Sequence, residues 1–348
     1  MARLDRDGDA RSQSAFDEPI DWETFWALAH RHEVVPMVWA WLRADATRQV
    51  SVPESVIRRA QRRYFATMIR NRAWAAELGT VLRAFAAAGI EAMPVKGVAI
   101  AETVYGDIGL RSFDDLDLLV RPDDLGDARR VLAGLQYSTR AVPRFEEATH
   151  AFHDLQHFRQ VAGGEVCLEL HWDLWSPAHF RSDSVGRWQR ARAAQVAGEA
   201  TRVLADEDAL VHLAIHRTRS PLRLRFVCDV AELVAVRGAS LDWAALVERA
   251  ETLGARTALY MILSLATELL DAQVPDDVLR QLRPMWPKRL LLERSCGAAA
   301  LFRPVRSGDD RQQPHLVYRV LELDGARRIA RALVAALVRK PAKWSYRR

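Results

Sequence analysis

Hydrophobic periodicity changes twice along this chain, and those two changes constrain its fold more than any other feature. From 54 to 88 apolar residues recur at helical spacing. Pro53 stands where a first helical turn tolerates proline, and Gly89 lies just past the end. Between about 90 and 171 the apolar runs shrink to strand length, at 90–95, 115–120, near 155–161 and 165–171. A helix is expected over 98–104, and a second over LGDARRVLAGL, introduced by RPDD and ending near Gly134. Gly163 and Gly164 between the last two runs signal a hairpin. After about 176 helical spacing returns, over 206–219, 226–237, 242–253, 257–271 and 276–283. Residues 20–49 predict two short helices broken near Pro36. The fold class expected is therefore α+β, a small mixed sheet flanked by N-terminal helices and a C-terminal helical domain. The division expected is a disordered leader over 1–18, a helical segment over 19–88, a mixed core over 89–175 and a helical domain over 176–348.

Composition removes several classes. The longest uncharged, largely apolar run is about 257–267, short of the roughly 18–20 residues a membrane span needs. The first residues mix acids and bases, which fits neither a signal nor a transit peptide. Cys167, Cys228 and Cys296 are too few and too scattered for a disulfide framework or a zinc cluster, so the expected compartment is the cytoplasm. The net charge of +5 is uneven: residues 280–348 hold 14 Arg and 3 Lys against 5 acids. Such a basic end fits either an anionic partner such as RNA or a solvated arginine-rich helical surface. Arginine outnumbers lysine 46 to 4, and Lys96 is the only lysine before Lys288. A lysine kept where arginine is the default suggests a position that needs a compact point charge.

The chemistry concentrates in PVKGVAIAETVYGDIGLRSFDDLDLLV, residues 94–120. Residues two apart on a strand share a face, about 6.6 Å apart along the chain. Asp115 and Asp117 then project together, while Leu116 and Leu118 turn to the buried side. Two carboxylates so close repel unless a cation lies between them, and Mg²⁺ takes oxygen ligands of this kind. The run Val166–His171 repeats the logic: Cys167, Glu169 and His171 share a face, and a glutamate there is exposed, paired or metal-bound. If that strand lies beside the aspartates, three carboxylates meet, as a two-metal phosphoryl-transfer centre requires. Gly97 opens a helix, where backbone can approach an anion such as a triphosphate, with Lys96 as an added charge. Arg111 is either a second cation for the polyphosphate or a structural arginine tying down the loop.

The histidines are less specific. His171 either orients a ligand or is a satisfied core histidine. His150, His153 and His157 lack a fixed face and no cysteine joins them, so they do not read as a zinc site. His216, one helical turn after His212, lines a cleft with Asp229 or forms a core hydrogen bond with it. The paired tryptophans Trp22/Trp26 and Trp39/Trp41 read as packing residues.

Together, KG…YG…R…DDLDLLV followed by ELHW and LVHLAIHRTRSPLRLRFVCDVAELV resembles a bacterial family of uncharacterised nucleotidyltransferases, within the superfamily of DNA polymerase beta. The resemblance covers about 50–240. It implies that Asp115, Asp117 and Glu169 are the catalytic, metal-holding carboxylates, that Gly97 is the phosphate-turn glycine, and that Lys96 and Arg111 serve the NTP phosphates. His216 and Asp229 would match the histidine and aspartate that recur in the family's helical domain. The wider superfamily has Gly-Gly or Gly-Ser where this chain has Gly97-Val98, so a serine contact to phosphate is missing. The implied activity is transfer of an NMP from an NTP to an acceptor hydroxyl, with Mg²⁺ or Mn²⁺ and release of pyrophosphate. A small molecule or sugar is the acceptor expected. An RNA acceptor such as a tRNA end, as in toxin-like relatives, and a non-catalytic nucleotide-binding regulator are the alternatives. Neither a membrane nor a partner protein is implied.

Overall fold

The computed structural model describes residues 20–43, 52–139, 153–161, 164–175, 179–218, 222–302 and 323–324. The expected leader, His150, Gly163 and, apart from Leu323 and Asp324, the basic stretch beyond 302 lie outside the described residues.

Two short helices open the described chain, α1 (Trp22–Arg31) and α2 (Val35–Arg43). The Asp21 carboxylate caps α1 by accepting from the backbone N–H groups of Glu23 and Thr24. The break falls at 32–34, and Pro36 sits in the first turn of α2, where a missing N–H costs nothing. The long helix α3 (Glu54–Ala87) buries a stripe that includes Tyr64, Asn71, Trp74, Leu78, Leu82 and Phe85.

The central sheet has four strands in the order β1-β2-β4-β3. They are β1 (Ala92–Pro94), β2 (Leu116–Val120), β3 (Asp154–Val161) and β4 (Gly164–His171). β1 runs antiparallel to β2, β2 parallel to β4, and β3 antiparallel to β4 as the expected hairpin. Between β1 and β2 lies α4 (Gly97–Ile100), which continues as a π-turn through Ala101–Tyr105; α5 (Leu125–Gly134) follows β2.

Alternation in β2 and β4 assigns the two faces. Leu116, Leu118, Val120, Val166, Leu168 and Leu170 join a buried cluster with Trp74, Leu78, Leu82 and Phe85 of α3 and with Leu125, Ala128 and Leu132 of α5. Leu119, Met93 and Val95 face the other way, into the larger cluster built with the later helices. Those helices are α7 (Asp206–Arg217), α8 (Leu224–Arg237), α9 (Trp243–Leu253), α10 (Arg256–Leu270), α11 (Asp276–Leu282), α12 (Trp286–Cys296) and α13 (Ala298–Leu301), preceded by α6 (Ser184–Arg190). Among the described residues no helix is long and apolar enough to cross a membrane.

The expectation of helices alone after 176 needs correction. Arg192–Val196 (β5) and Glu199–Val203 (β6) form an antiparallel hairpin. Its turn residues, Ala197 and Gly198, both have positive φ, the geometry of tight two-residue hairpins. The hairpin lies against the β1 end of the sheet, where the Thr201 hydroxyl donates to the Ala92 carbonyl at 2.8 Å and the Ala197 N–H donates to Glu102 at 2.8 Å. This packing explains a glycine in the middle of α3: a Cβ on Gly79 would stand 2.7 Å from the Ala197 carbonyl oxygen.

Candidate active site

Parallel pairing of β2 with β4 sets Asp117 directly opposite Glu169, and Leu119 opposite His171. Asp115 precedes β2 by one residue and is partly buried. The three carboxylates therefore converge on the face turned toward α7. Side-chain exposure is 1% at Asp117 and 18% at Glu169, so water screens this cluster weakly.

Asp117 is the hub. Its Oδ1 lies 2.6 Å from Lys96 Nζ and 2.9 Å from His171 Nε2. Its Oδ2 is buried without a hydrogen-bond partner. Burial alone would raise the Asp117 pKa, but Lys96 and the His171 hydrogen bond outweigh it and hold the carboxyl well below the usual range. Asp115 goes the other way: burial, then the charge of Asp117, pushes it up to about 7 despite Lys96. For Lys96, burial is outweighed by Asp117, Asp115 and Glu169, and the ammonium stays charged. The group is thus short of positive charge, with three carboxylates beside one ammonium and a hydrogen-bonded histidine. An orphaned carboxylate oxygen and a carboxyl driven toward neutrality are what a divalent ion would relieve, and an all-oxygen donor set suits Mg²⁺.

Neighbouring residues contact this cluster on several sides. Gln156 Nε2 donates to Glu169 Oε1 at 2.8 Å, across the β3–β4 ladder. His171 Nε2 stands 3.6 Å from Glu169 Oε2. His216 Nδ1 is 3.5 Å from Lys96 Nζ, which brings α7 over the site. His212, one turn earlier and fully buried, has a pKa far below the ordinary value because of burial and then Lys96, so it is neutral.

Gly97 has φ +31°, a conformation side chains disfavour, and a Cβ there would lie 3.4 Å from the Asp115 carbonyl oxygen. The turn is therefore packed directly against the residue that leads into β2. Arg111 is not a free cation. Its Nε and Nη2 reach the two oxygens of Asp229 at 2.8 and 2.9 Å, and its Nη1 reaches the Gly97 carbonyl at 3.4 Å. Asp229 also accepts from the Tyr105 hydroxyl at 3.0 Å and is completely buried. The geometry thus gives Arg111 the role of tying the loop down, and it seats Asp229 in the core against Arg111.

Further straps hold the loop before β2. Asn71 Nδ2 on α3 donates to the carbonyls of Ile108 and Arg111 at 2.7 and 2.8 Å. The Tyr64 hydroxyl donates to Asp107 at 2.7 Å, and Arg225 Nη1 to the Ser112 carbonyl at 3.2 Å. The sequence reading missed these residues. Only Asn71 carried a signal, as a lone amide at the buried phase of a long amphipathic helix.

A model of the family described as uncharacterised nucleotidyltransferase matches residues 18–271. The chain belongs to that family. The matched stretch runs from ahead of α1 to the end of α10, so it contains the sheet, the carboxylates and the helices that cover them. As a nucleotidyltransferase the chain is a transferase enzyme. No curated protein matches it. Two solved structures are similar. One is the antibiotic-resistance factor ANT(2'')-Ia, at 14% identity over 51% of this chain and 88% of that one, TM-score 0.36. The other is an antigenic nucleotidyltransferase-like protein from Paracoccidioides brasiliensis, at 15% identity over 56% of this chain and 93% of that one, TM-score 0.32. Membership of the nucleotidyltransferase family rests on the match over residues 18–271.

Proposed function

We propose that this nucleotidyltransferase moves an NMP from an NTP to the hydroxyl of a small molecule or sugar, releasing pyrophosphate with Mg²⁺ or Mn²⁺. The observation that carries the reading is the register that sets Asp117 opposite Glu169 with Asp115 two residues ahead, leaving Asp117 Oδ2 unpartnered. Asp115, Asp117 and Glu169 would hold the ion, which when bound supplies charge neutralisation at the α-phosphate and the leaving group. The acceptor oxygen bonds to the α-phosphorus as the bond to the bridging oxygen breaks. Glu169, with Oε1 fixed by Gln156, takes the acceptor proton. Lys96 holds Asp117 and lends positive charge beside the Gly97 turn, where the triphosphate sits. Arg111 acts on that turn only through the Gly97 carbonyl, so it is a positioning residue. His216 steadies the Lys96 ammonium from α7.

An RNA acceptor is the second reading, favoured by the 14 Arg and 3 Lys against 5 acids in residues 280–348. Binding of that kind weakens steeply with salt, whereas transfer to a small molecule does not. One experiment separates the readings. Purified protein is incubated with α-labelled NTPs, Mg²⁺ and separated small-molecule, RNA and protein fractions of cells, with Asp115→Ala in parallel. Label entering the small-molecule fraction with wild type alone supports the proposal, and label entering RNA supports the second reading. Equal labelling by both proteins defeats both.

A further inference from the structure

We propose that the chain carries a second cation site, beside the carboxylate cluster and sharing its His171, in which His153, Asp154 and His171 bind a borderline transition ion such as Zn²⁺. The β3–β4 ladder makes Asp154 and His171 direct cross-strand partners, and His153 immediately precedes that pair. His153 is itself tied down, its carbonyl accepting from the backbone N–H groups of Trp172 and Asp173 at 3.1 and 3.5 Å. His153 Nε2 lies 3.1 Å from Asp154 Oδ2, and His171 Nδ1 lies 4.0 Å from the same oxygen. One ligand atom from each residue falls within 4.8 Å of the others. Around a tetrahedral Zn²⁺ with bonds of about 2.0–2.1 Å, ligand atoms are about 3.3 Å apart. The two separations bracket that value and the third lies within 4.8 Å, so the three side chains must close somewhat to share one ion.

His171 is held in a position suited to such an ion. Its side chain is 3% exposed, and Nδ1 is buried without a hydrogen-bond partner. On the opposite edge of the ring, Nε2 lies 2.9 Å from Asp117 Oδ1. With the N–H at Nε2 donated to that carboxylate, Nδ1 carries the lone pair, 4.0 Å from Asp154 Oδ2. A carboxylate on the far nitrogen is how metal-ligating histidines are held, since it fixes both ring orientation and tautomer. Two imidazoles and one carboxylate suit Zn²⁺ rather than Mg²⁺, and three protein ligands leave a fourth position for water. The site differs from a cluster of His150, His153 and His157. His157 is on the other face of β3, with its Nδ1 3.1 Å from the Leu155 carbonyl oxygen. An ion on Nδ1 would lock the ring that braces Asp117, coupling this site to the carboxylate hub through one side chain.

The test is metal binding by the full chain after chelator treatment, with Mg²⁺ in excess to occupy the oxygen site. Co²⁺ is titrated against its ligand-field bands, and bound Zn²⁺ is counted after dialysis. The expected result is one equivalent of either ion, retained in Asp115→Asn and weakened about 100-fold or more in His153→Ala. His153→Cys, with folding checked by circular dichroism, should keep the ion and add a thiolate-to-cobalt charge-transfer band. Equal binding by wild type and His153→Ala overturns the proposal. So does loss of all binding in Asp115→Asn, or bound Co²⁺ in His153→Cys with no thiolate band.

Discussion

Two buried cation–aspartate pairs lie in neighbouring regions of this molecule, and they differ in one respect. At the junction of the Gly97 loop with α8, Arg111 and Asp229 satisfy each other: both carboxylate oxygens accept from the guanidinium, and Tyr105 adds a third hydrogen bond. On the sheet face, Lys96 meets Asp117 through one oxygen, the second oxygen is orphaned, and two more carboxylates crowd in. A planar fork closes a pair completely, whereas a point charge leaves room for another cation. The closed pair is scaffold. The open one is where chemistry can enter.

Mutation should separate them most clearly in activity. Asp117→Ala should lower NMP transfer by at least about 10³-fold, several kcal/mol of barrier, while circular dichroism stays native. A loss under tenfold would dissolve the distinction. Asp229→Ala should act on stability, since it strands Arg111 in the core: about 3–5 kcal/mol by denaturant titration. Combining it with Arg111→Met should return most of that loss, because the uncompensated charge is gone. Lys96→Met should cost about 3 kcal/mol without divalent ions, and saturating Mg²⁺ should raise its Tm more than it raises that of wild type. Equal rises would mean that Lys96 and the ion do not share the charge deficit.

The smallest effect is a pH slope from groups outside both pairs. Burial above all holds His32 and His157 near 4, against about 6.5 in an unfolded chain. Between those values the unfolded chain takes up a proton at each that the native protein does not. Stability should therefore fall as pH drops from about 6.5 to 4, by up to about 1.4 kcal/mol per pH unit for each group. His157→Gln should flatten that slope in urea melts at pH 7 and 5, and an unchanged slope would remove His157 from the account.

Much of the scaffold was legible because it is local. Strand alternation in LDLLV and VCLELH gave β2, β4 and the faces that carry Asp117 and Glu169, though not the pairing of the two strands, and helical spacing gave α3 and α7 to α11 with ends shifted by a few residues. The β5–β6 hairpin escaped because its strands are short and polar and its turn places an alanine at positive φ. At the site, the rarity of lysine singled out Lys96, but not its partner 21 residues on. The Arg111–Asp229 clamp joins positions 118 residues apart and is fixed by the packing of α8 on the loop. No pattern within a strand or helix encodes such a distance.

The parallel pairing of β2 and β4 also limits how this chain can change length. Successive β4 residues point to opposite sides, so deleting one residue between Glu165 and the end of the strand would present Leu168 or Leu170 to the aspartates in place of Glu169. Insertions and deletions are therefore expected to be tolerated in the connections but excluded from the strand itself, where a single codon's shift would exchange an acid for a hydrocarbon.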